Sequence, residues 1–181
     1  RSRSMWNKFD NEIIHRHVNL CIKLRTHQHI RAGLQGYRQR VLQMAPQLMI
    51  DAVTHAHKKA EEYVHETVKA AAENKLSVLE RTVMHEMTGI DASKRVEQHS
   101  VDQAVSFFHD VTKVCMTTIG YYGKYEALFQ TLVQRSFQLC LQLGRKSEFG
   151  SFCEMLRKHA TLSFDNADQR TAILNSNEAL S

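Results

Sequence analysis

Turn-forming residues are nearly absent from this chain. It holds a single proline, Pro46, and 7 Gly in 181 residues. Sandwiches and barrels need turn signals at intervals of about 8–12 positions, and this sequence cannot supply them. Long helices need few breakers, so the expected class is all-α. A chain of this length fits one domain of the usual ~100–200 residues. Apolar residues at 43% and charged residues at 24% exclude a collagenous or an acidic disordered chain. No apolar run reaches the roughly 18–20 residues of a membrane span, and no segment reads as a signal peptide. The expectation is a cytoplasmic protein with no membrane contact. The chain opens Arg1-Ser2-Arg3-Ser4 and ends within a helical pattern, as a segment of a longer protein would.

Apolar spacing places the helices. The first is expected from about Trp6 to Leu24, with Phe9, Ile13, Leu20 and Leu24 as its stripe. The second runs from His29 to Met44, with Ile30, Leu34, Tyr37 and Val41. Gly33 and Gly36 inside it each cost about 1 kcal/mol against Ala, which implies a close helix approach there. Pro46 suits the first turn of a third helix ending near Ala72. Leu76, Leu79, Val83 and Met87 add an amphipathic turn set, and residues 89–100 read as a loop or linker. A fourth helix covers Val101 to Ile119, with Val105, Phe108, Thr112 and Cys115 on its stripe. A fifth runs from Lys124 to Leu143, with Gly144 as a left-handed cap. A sixth runs from Lys146 to Ser163, carrying Phe149, Phe152, Cys153, Leu156 and His159 or Ala160.

These helices form consecutive antiparallel pairs of helical-repeat length. The predicted architecture is an irregular right-handed solenoid of the TPR/HEAT-like kind. Residues 1–72 form its N-terminal pairs, 73–100 a variable helix or loop linker, and 101–181 its C-terminal pairs. Core positions are Leu20, Cys21, Leu24, Leu34, Tyr37, Phe108, Cys115, Phe137, Cys140, Phe149, Cys153 and Leu156.

Chemical motifs are sparse. His15/His17, His27/His29 and His55/His57 are i, i+2 pairs, which point apart on a helix, where zinc wants i, i+4. His85-Glu86 lacks a second His, and no cysteine stands at ligand spacing. No phosphate-binding glycine loop is present. Cys153 with His159, or Cys115 with His109, are the conceivable catalytic pairs, yet both cysteines sit on apolar stripes, where thiols are usually inert. The four cysteines read as reduced core residues. No enzyme activity, cofactor or metal is expected.

The basic residues carry more. Lys and Arg number 24 against 19 Asp and Glu, a modest net +5. Arg25, Arg31, Arg38 and Arg40 gather around the first hairpin, and Arg145, Lys146, Arg157 and Lys158 around the last. Solvated helix faces are one reading. Contact with RNA or an acidic protein surface is the other.

Two blocks resemble one family closely. The first is Leu20-Cys21-Ile22-Lys23-Leu24-Arg25, continuing through Ala32-Gly33-Leu34 to Tyr37-Arg38, with Ala60-Glu61-Glu62 further along. The second runs Ser136-Phe137-Gln138-Leu139-Cys140-Leu141-Gln142, then Arg145 to Phe149, then Cys153 to His159, with Ala172-Ile173-Leu174-Asn175 and Glu178 beyond. This order resembles the N-terminal helical region of the largest, PCI-containing component of eukaryotic translation initiation factor three. The exception is residues 73–100, where the family carries a variable, more acidic insert that this sequence does not match.

The resemblance implies a non-catalytic scaffold whose solenoid leads into a PCI module beyond this chain. It implies pairing with a second PCI scaffold of the factor, the c subunit. It also implies binding to small-subunit ribosomal proteins and rRNA, preinitiation-complex assembly, and a position near the mRNA exit side. On that reading Arg145, Lys146, Arg157 and Lys158 are exposed in part, and Cys140, Phe149, Cys153 and Leu156 are buried between helices. The alternatives are a PCI-type scaffold of another complex, the proteasome lid or the signalosome, without ribosome contact, and an enzyme with a Cys–His pair.

Overall fold

The computed structural model describes residues 2–41, 45–82, 90–120 and 123–161. Among them the chain forms helices and no strand. The elements are α1 (Ser2–Lys23), α2 (His27–Val41), α3 (Pro46–Thr82), α4 (Ile90–Ile119), a 3-10 turn (Gly123–Tyr125), α5 (Glu126–Gln142) and α6 (146–161). The chain divides into two compact units, Arg1–Thr118 and Ile119–Ser181.

In the first unit, α1 packs on α2 and α3, and α2 on α3. The α2 stripe is the expected one: Ile30, Leu34, Tyr37 and Val41 are all buried. The face of α3 turned to its neighbours is mostly small, with Ala52, Val53, Ala56, Ala60 and Val64 fully buried. Small side chains let the other helices come close. From α4, Phe108 meets His57 edge-on at 5.1 Å between ring centroids, and Phe107 meets Tyr63 at 5.9 Å. The Cys115 thiol lies 3.8 Å from the Val53 carbonyl that accepts its weak hydrogen bond.

The long helices differ from expectation in one consistent way. α3 continues to Thr82, and α4 begins at Ile90 rather than Val101. The polar run 94–100 has no apolar stripe, which reads as loop in sequence. Nothing in it breaks a helix either, since no Gly or Pro lies between Gly89 and Gly120. It therefore extends α4 as a polar helix. Met44, Val83 and Met87 fall outside the described residues.

α1 carries the main correction. Its buried arc is Ile14, Val18, Cys21 and Ile22. Leu20 and Leu24, expected in the core, are exposed, as are Phe9 and Ile13. Both arcs have helical spacing, and α2 and α3 select the other one.

The second unit shows the same effect. Leu128, Phe129, Leu132, Val133, Leu139 and Cys140 of α5 are buried, with Phe152 and His159 of α6. Cys153 and Leu156 of α6 are exposed, against expectation. The buried arc of α6 runs through Phe152 and His159, and Cys153 and Leu156 lie beside it. Phe137 and Phe149 are half-buried and face each other at 4.6 Å. Of the other expected core residues, Cys21, Leu34, Tyr37, Phe108, Cys115 and Cys140 are buried.

Candidate nucleic-acid interface

Two helical hairpins present the candidate residues, and their turns close in the same way. After α1, the Arg25 N–H donates to the Ile22 carbonyl at 3.1 Å and the Thr26 N–H to the Cys21 carbonyl at 3.0 Å. After α5, the Gly144 N–H donates to Leu141 at 3.3 Å and the Arg145 N–H to Cys140 at 2.8 Å. Both are Schellman closures around a residue at positive φ, 55° for Arg25 and 65° for Gly144. The local sequences correspond position by position: Leu20-Cys21-Ile22-Lys23-Leu24-Arg25 and Leu139-Cys140-Leu141-Gln142-Leu143-Gly144. This internal repetition is present in the sequence, but the missing glycine at Arg25 hides it.

The hairpin α1–α2 is held by Gly33. A methyl group there would meet the His17 ring carbon Cδ2 at 2.5 Å. His17 Nε2 lies 3.0 Å from the His29 carbonyl and 3.5 Å from the Cys21 sulfur. A carbonyl only accepts, so Nε2 carries the proton and cannot deprotonate Cys21. Burial pushes the Cys21 thiol up as well. Gly36, by contrast, faces open space and Ala32 is exposed, so Gly33 alone serves the close approach.

Within the first unit the four basic residues of the α1–α2 hairpin do not form one cluster. Arg25 projects at the α1–α2 turn, its guanidinium 5.6 Å from the Tyr63 ring centroid. Arg40, exposed, lies at the other end of α2, 3.8 Å from Asp10 of α1. Fifteen residues separate them in sequence, about 22 Å of helical rise. Arg31 lies between, exposed, and Arg38 is half-buried. Arg31 shares a cleft of about 530 Å³ with His27, Gln28, Asp110, Lys113, Val114 and Thr117. There His27 Nδ1 is 3.7 Å from Asp110.

In the second unit, Arg145 is half-buried and 3.0 Å from Glu148, while Lys146 beside it is exposed. Arg157 forms a fork on Glu154, with contacts of 2.8 and 2.9 Å, and Lys158 reaches the same carboxylate at 3.6 Å. Hydrogen bonding from Arg157 holds the Glu154 carboxyl below its usual range. Two glutamates thus offset part of this cationic set, and only Arg25, Arg145 and Lys146 sit at hairpin tips.

A stronger signal lies in what is missing. No Asp or Glu occurs between Glu12 and Asp51, nor between Glu126 and Glu148. The first gap contains Arg16, Lys23, Arg25, Arg31, Arg38 and Arg40. The α1–α2 hairpin therefore projects a field that its own carboxylates barely offset, and counting cations alone misses it. Lys113 is missed as well, because it stands seventy or more residues away in sequence from the other cations of this hairpin.

The architecture and these hairpins match a known group along their whole length. The family described as eIF3a, PCI domain, TPR-like region, matches residues 1–181. The chain belongs to this family. Its helical-repeat class agrees with the all-α hairpins seen here. The A subunit of eukaryotic translation initiation factor 3 from Homo sapiens is 28% identical over 97% of this chain. The proteins of the same name in Danio rerio and Schizosaccharomyces pombe are 26% and 28% identical over 97% and 88% of it. The chain spans 13%, 15% and 18% of the lengths of those three relatives. Among the described residues no helix is long and apolar enough to cross a membrane.

Proposed function

We propose that this chain is a scaffold segment that helps organise preinitiation-complex assembly and mRNA recruitment through contact with the small ribosomal subunit. The stretch of the α1–α2 hairpin after Glu12, which holds six Arg and Lys and no carboxylate, carries the reading. Its exposed cations, Arg25, Arg31 and Arg40, suit phosphate contacts that position without reading sequence. Ribosomal proteins and rRNA are the partners for that face, with mRNA near the exit side a further one. The other components of the factor, chiefly the c subunit, are the partners for the apolar surfaces. The setting is cytoplasmic, away from membranes.

A non-catalytic role fits the thiol chemistry. Burial pushes the Cys115 thiol up to about 12, and its sulfur faces Val53. His159 stacks on Phe129 at 3.7 Å and lies 3.5 Å from Glu126.

The test is co-sedimentation with purified small ribosomal subunits at two salt concentrations. Three phosphate contacts predict a loss of roughly 40-fold in affinity between about 50 and 200 mM salt. Changing Arg25, Arg31, Arg38 and Arg40 to Glu should abolish binding while leaving the helical spectrum intact. Salt-insensitive binding would exclude the phosphate contacts, and no binding by the unaltered chain would favour a PCI-type scaffold of another complex, the proteasome lid or the signalosome.

A further inference from the structure

The cleft between the first turns of α2 and the C-terminal third of α4 brings together charges that the sequence keeps apart. Gln28 and Arg31 of α2 and Lys113 of α4 line it, and all three are exposed. None of these three side chains makes a hydrogen bond or ion pair with another of the described residues. Asp110 of α4 lines the same cleft, with His27 Nδ1 at 3.7 Å and His109 Nδ1 at 3.9 Å. Both distances exceed a hydrogen bond, so the carboxylate oxygens keep accepting capacity. Asp110 and Lys113 stand three residues apart on one helix, which puts their Cβ atoms about 5–6 Å from each other. Val114, buried, adds an apolar wall. At about 530 Å³ the cleft falls within the roughly 300–1,000 Å³ of small-ligand sites.

We propose that this cleft seats one ribose-phosphate unit of single-stranded RNA, with Arg31 and Lys113 on the phosphate and Asp110 accepting a hydrogen bond from the 2′-hydroxyl. The inference rests on the RNA-contact reading above, and adds to it a seat and a means of telling RNA from DNA. Two unpaired cations on different helices suit an anion that reaches both, and a diester phosphate has a free oxygen for each. A carboxylate in the same cleft repels a ligand that brings anionic groups alone. RNA carries a donating hydroxyl on the carbon next to its 3′-phosphate, and this hydroxyl is what separates it from DNA. The spacing of Asp110 and Lys113 matches those two neighbouring groups. An acidic peptide fits less well, because its side chains set further carboxylates against Asp110 with no hydroxyl beside them. The cleft is concave, which admits a single strand and excludes the convex face of a duplex.

Lys113 separates a seat from a general cationic field. It lies on α4, outside the carboxylate-free stretch that follows Glu12. Lys23 lies within that stretch and is exposed, but does not line the cleft. A diffuse field weights the two lysines alike. A seat weights Lys113 above Lys23.

The experiment titrates the chain with a short fluorescein-labelled oligouridylate, and with the same oligomer carrying fluorine in place of each 2′-hydroxyl. Fluorine keeps the sugar shape and donates nothing. Saturable binding of the RNA is expected, with the fluoro oligomer about tenfold weaker, the scale of one hydrogen bond to a charged acceptor. Asp110→Ala should bind the two oligomers alike, with the fluoro oligomer held no more weakly than by the parent chain. Loss of preference without loss of affinity is an outcome no folding defect produces. Lys113→Glu should weaken RNA binding by about tenfold, the scale of one charged contact, and Lys23→Glu by much less. The proposal is overturned if the parent binds both oligomers alike or binds neither, if Asp110→Ala keeps the preference, or if Lys113→Glu does no more than Lys23→Glu. It is also overturned if an oligoglutamate peptide displaces the RNA as readily as unlabelled RNA does. Loss of hydroxyl preference with ribosome co-sedimentation intact would retire this seat and leave the ribosome reading standing. Absence of co-sedimentation with the preference intact would do the reverse.

Discussion

The imidazole rings of His15 on α1 and His55 on α3 stack 4.1 Å apart, their planes 13° from parallel. His55 Nε2 lies 2.8 Å from the Asn19 side-chain oxygen, to which its N–H donates. The pair ties α1 to α3 through two half-buried rings that favour the neutral state. Burial, then His15, Lys59 and Lys58, push His55 down to about 4, against an opposing pull from Glu62. Burial also lowers His15, opposed by Asp51.

The clasp makes stability depend on pH. Both folded-state values lie below the unfolded value of about 6.5, so the unfolded chain binds more protons between them. This contribution is complete above about pH 6.5 and is lost as pH falls toward 4. Urea midpoints measured across that window should drop for the parent chain and drop less for His55→Gln. Equal slopes for the two proteins would exclude the clasp as the cause.

Gly33 and Gly36 should respond to alanine in opposite directions. Gly33→Ala drives a methyl group into the His17 ring and displaces it from the His29 carbonyl. We expect a net loss of about 1–2 kcal/mol, the scale of an overpacked core site. Gly36→Ala meets nothing within 4 Å and should gain up to about 1 kcal/mol from helix propensity. Removing the ring with His17→Ala should rescue Gly33→Ala, a coupling readable in a double-mutant cycle.

The assignment of inner and outer arcs on α1 is testable with two leucines. Leu34 of α2 is fully buried, and Leu34→Ala should cost about 2–5 kcal/mol. Leu20→Ala should stay within about 0.5 kcal/mol in the isolated chain, as exposed positions do. A Leu20 cost as large as that of Leu34 would restore the arc expected from spacing.

Cysteine labelling separates the thiols without any mutation. Cys153 is exposed and should react with iodoacetamide in the folded chain. Cys115 is buried and held near 12, and Cys140, buried as well, near 11, so both should stay protected until urea unfolds the chain. Rapid native labelling of Cys115 would contradict the packing of α3 on α4.

Much of this architecture is legible in one dimension. The shortage of Gly and Pro leaves helices as the only efficient use of the chain. The single arc of α2, Ile30 to Val41, has one way to turn and turns that way. Gly144 announces its left-handed turn, because no side chain tolerates that backbone more cheaply. Arg25 adopts the same turn unannounced, since the hydrogen bonds that close it come from backbone groups any residue carries.

Other features required the third dimension. α1 offers two apolar arcs of equal helical spacing, and periodicity cannot say which one meets α3 and which faces water. The same holds for Cys153 and Leu156 on α6. The first eleven residues of α4 are helical without a stripe, because nothing in them opposes continuation. The basic residues, adjacent in the sequence, are parted by the rise of the helices that carry them, while Lys113 is carried to Arg31 by the packing of α4. Periodicity is a local property of a helix, whereas burial depends on what lies across from it, and that is set only when distant segments meet.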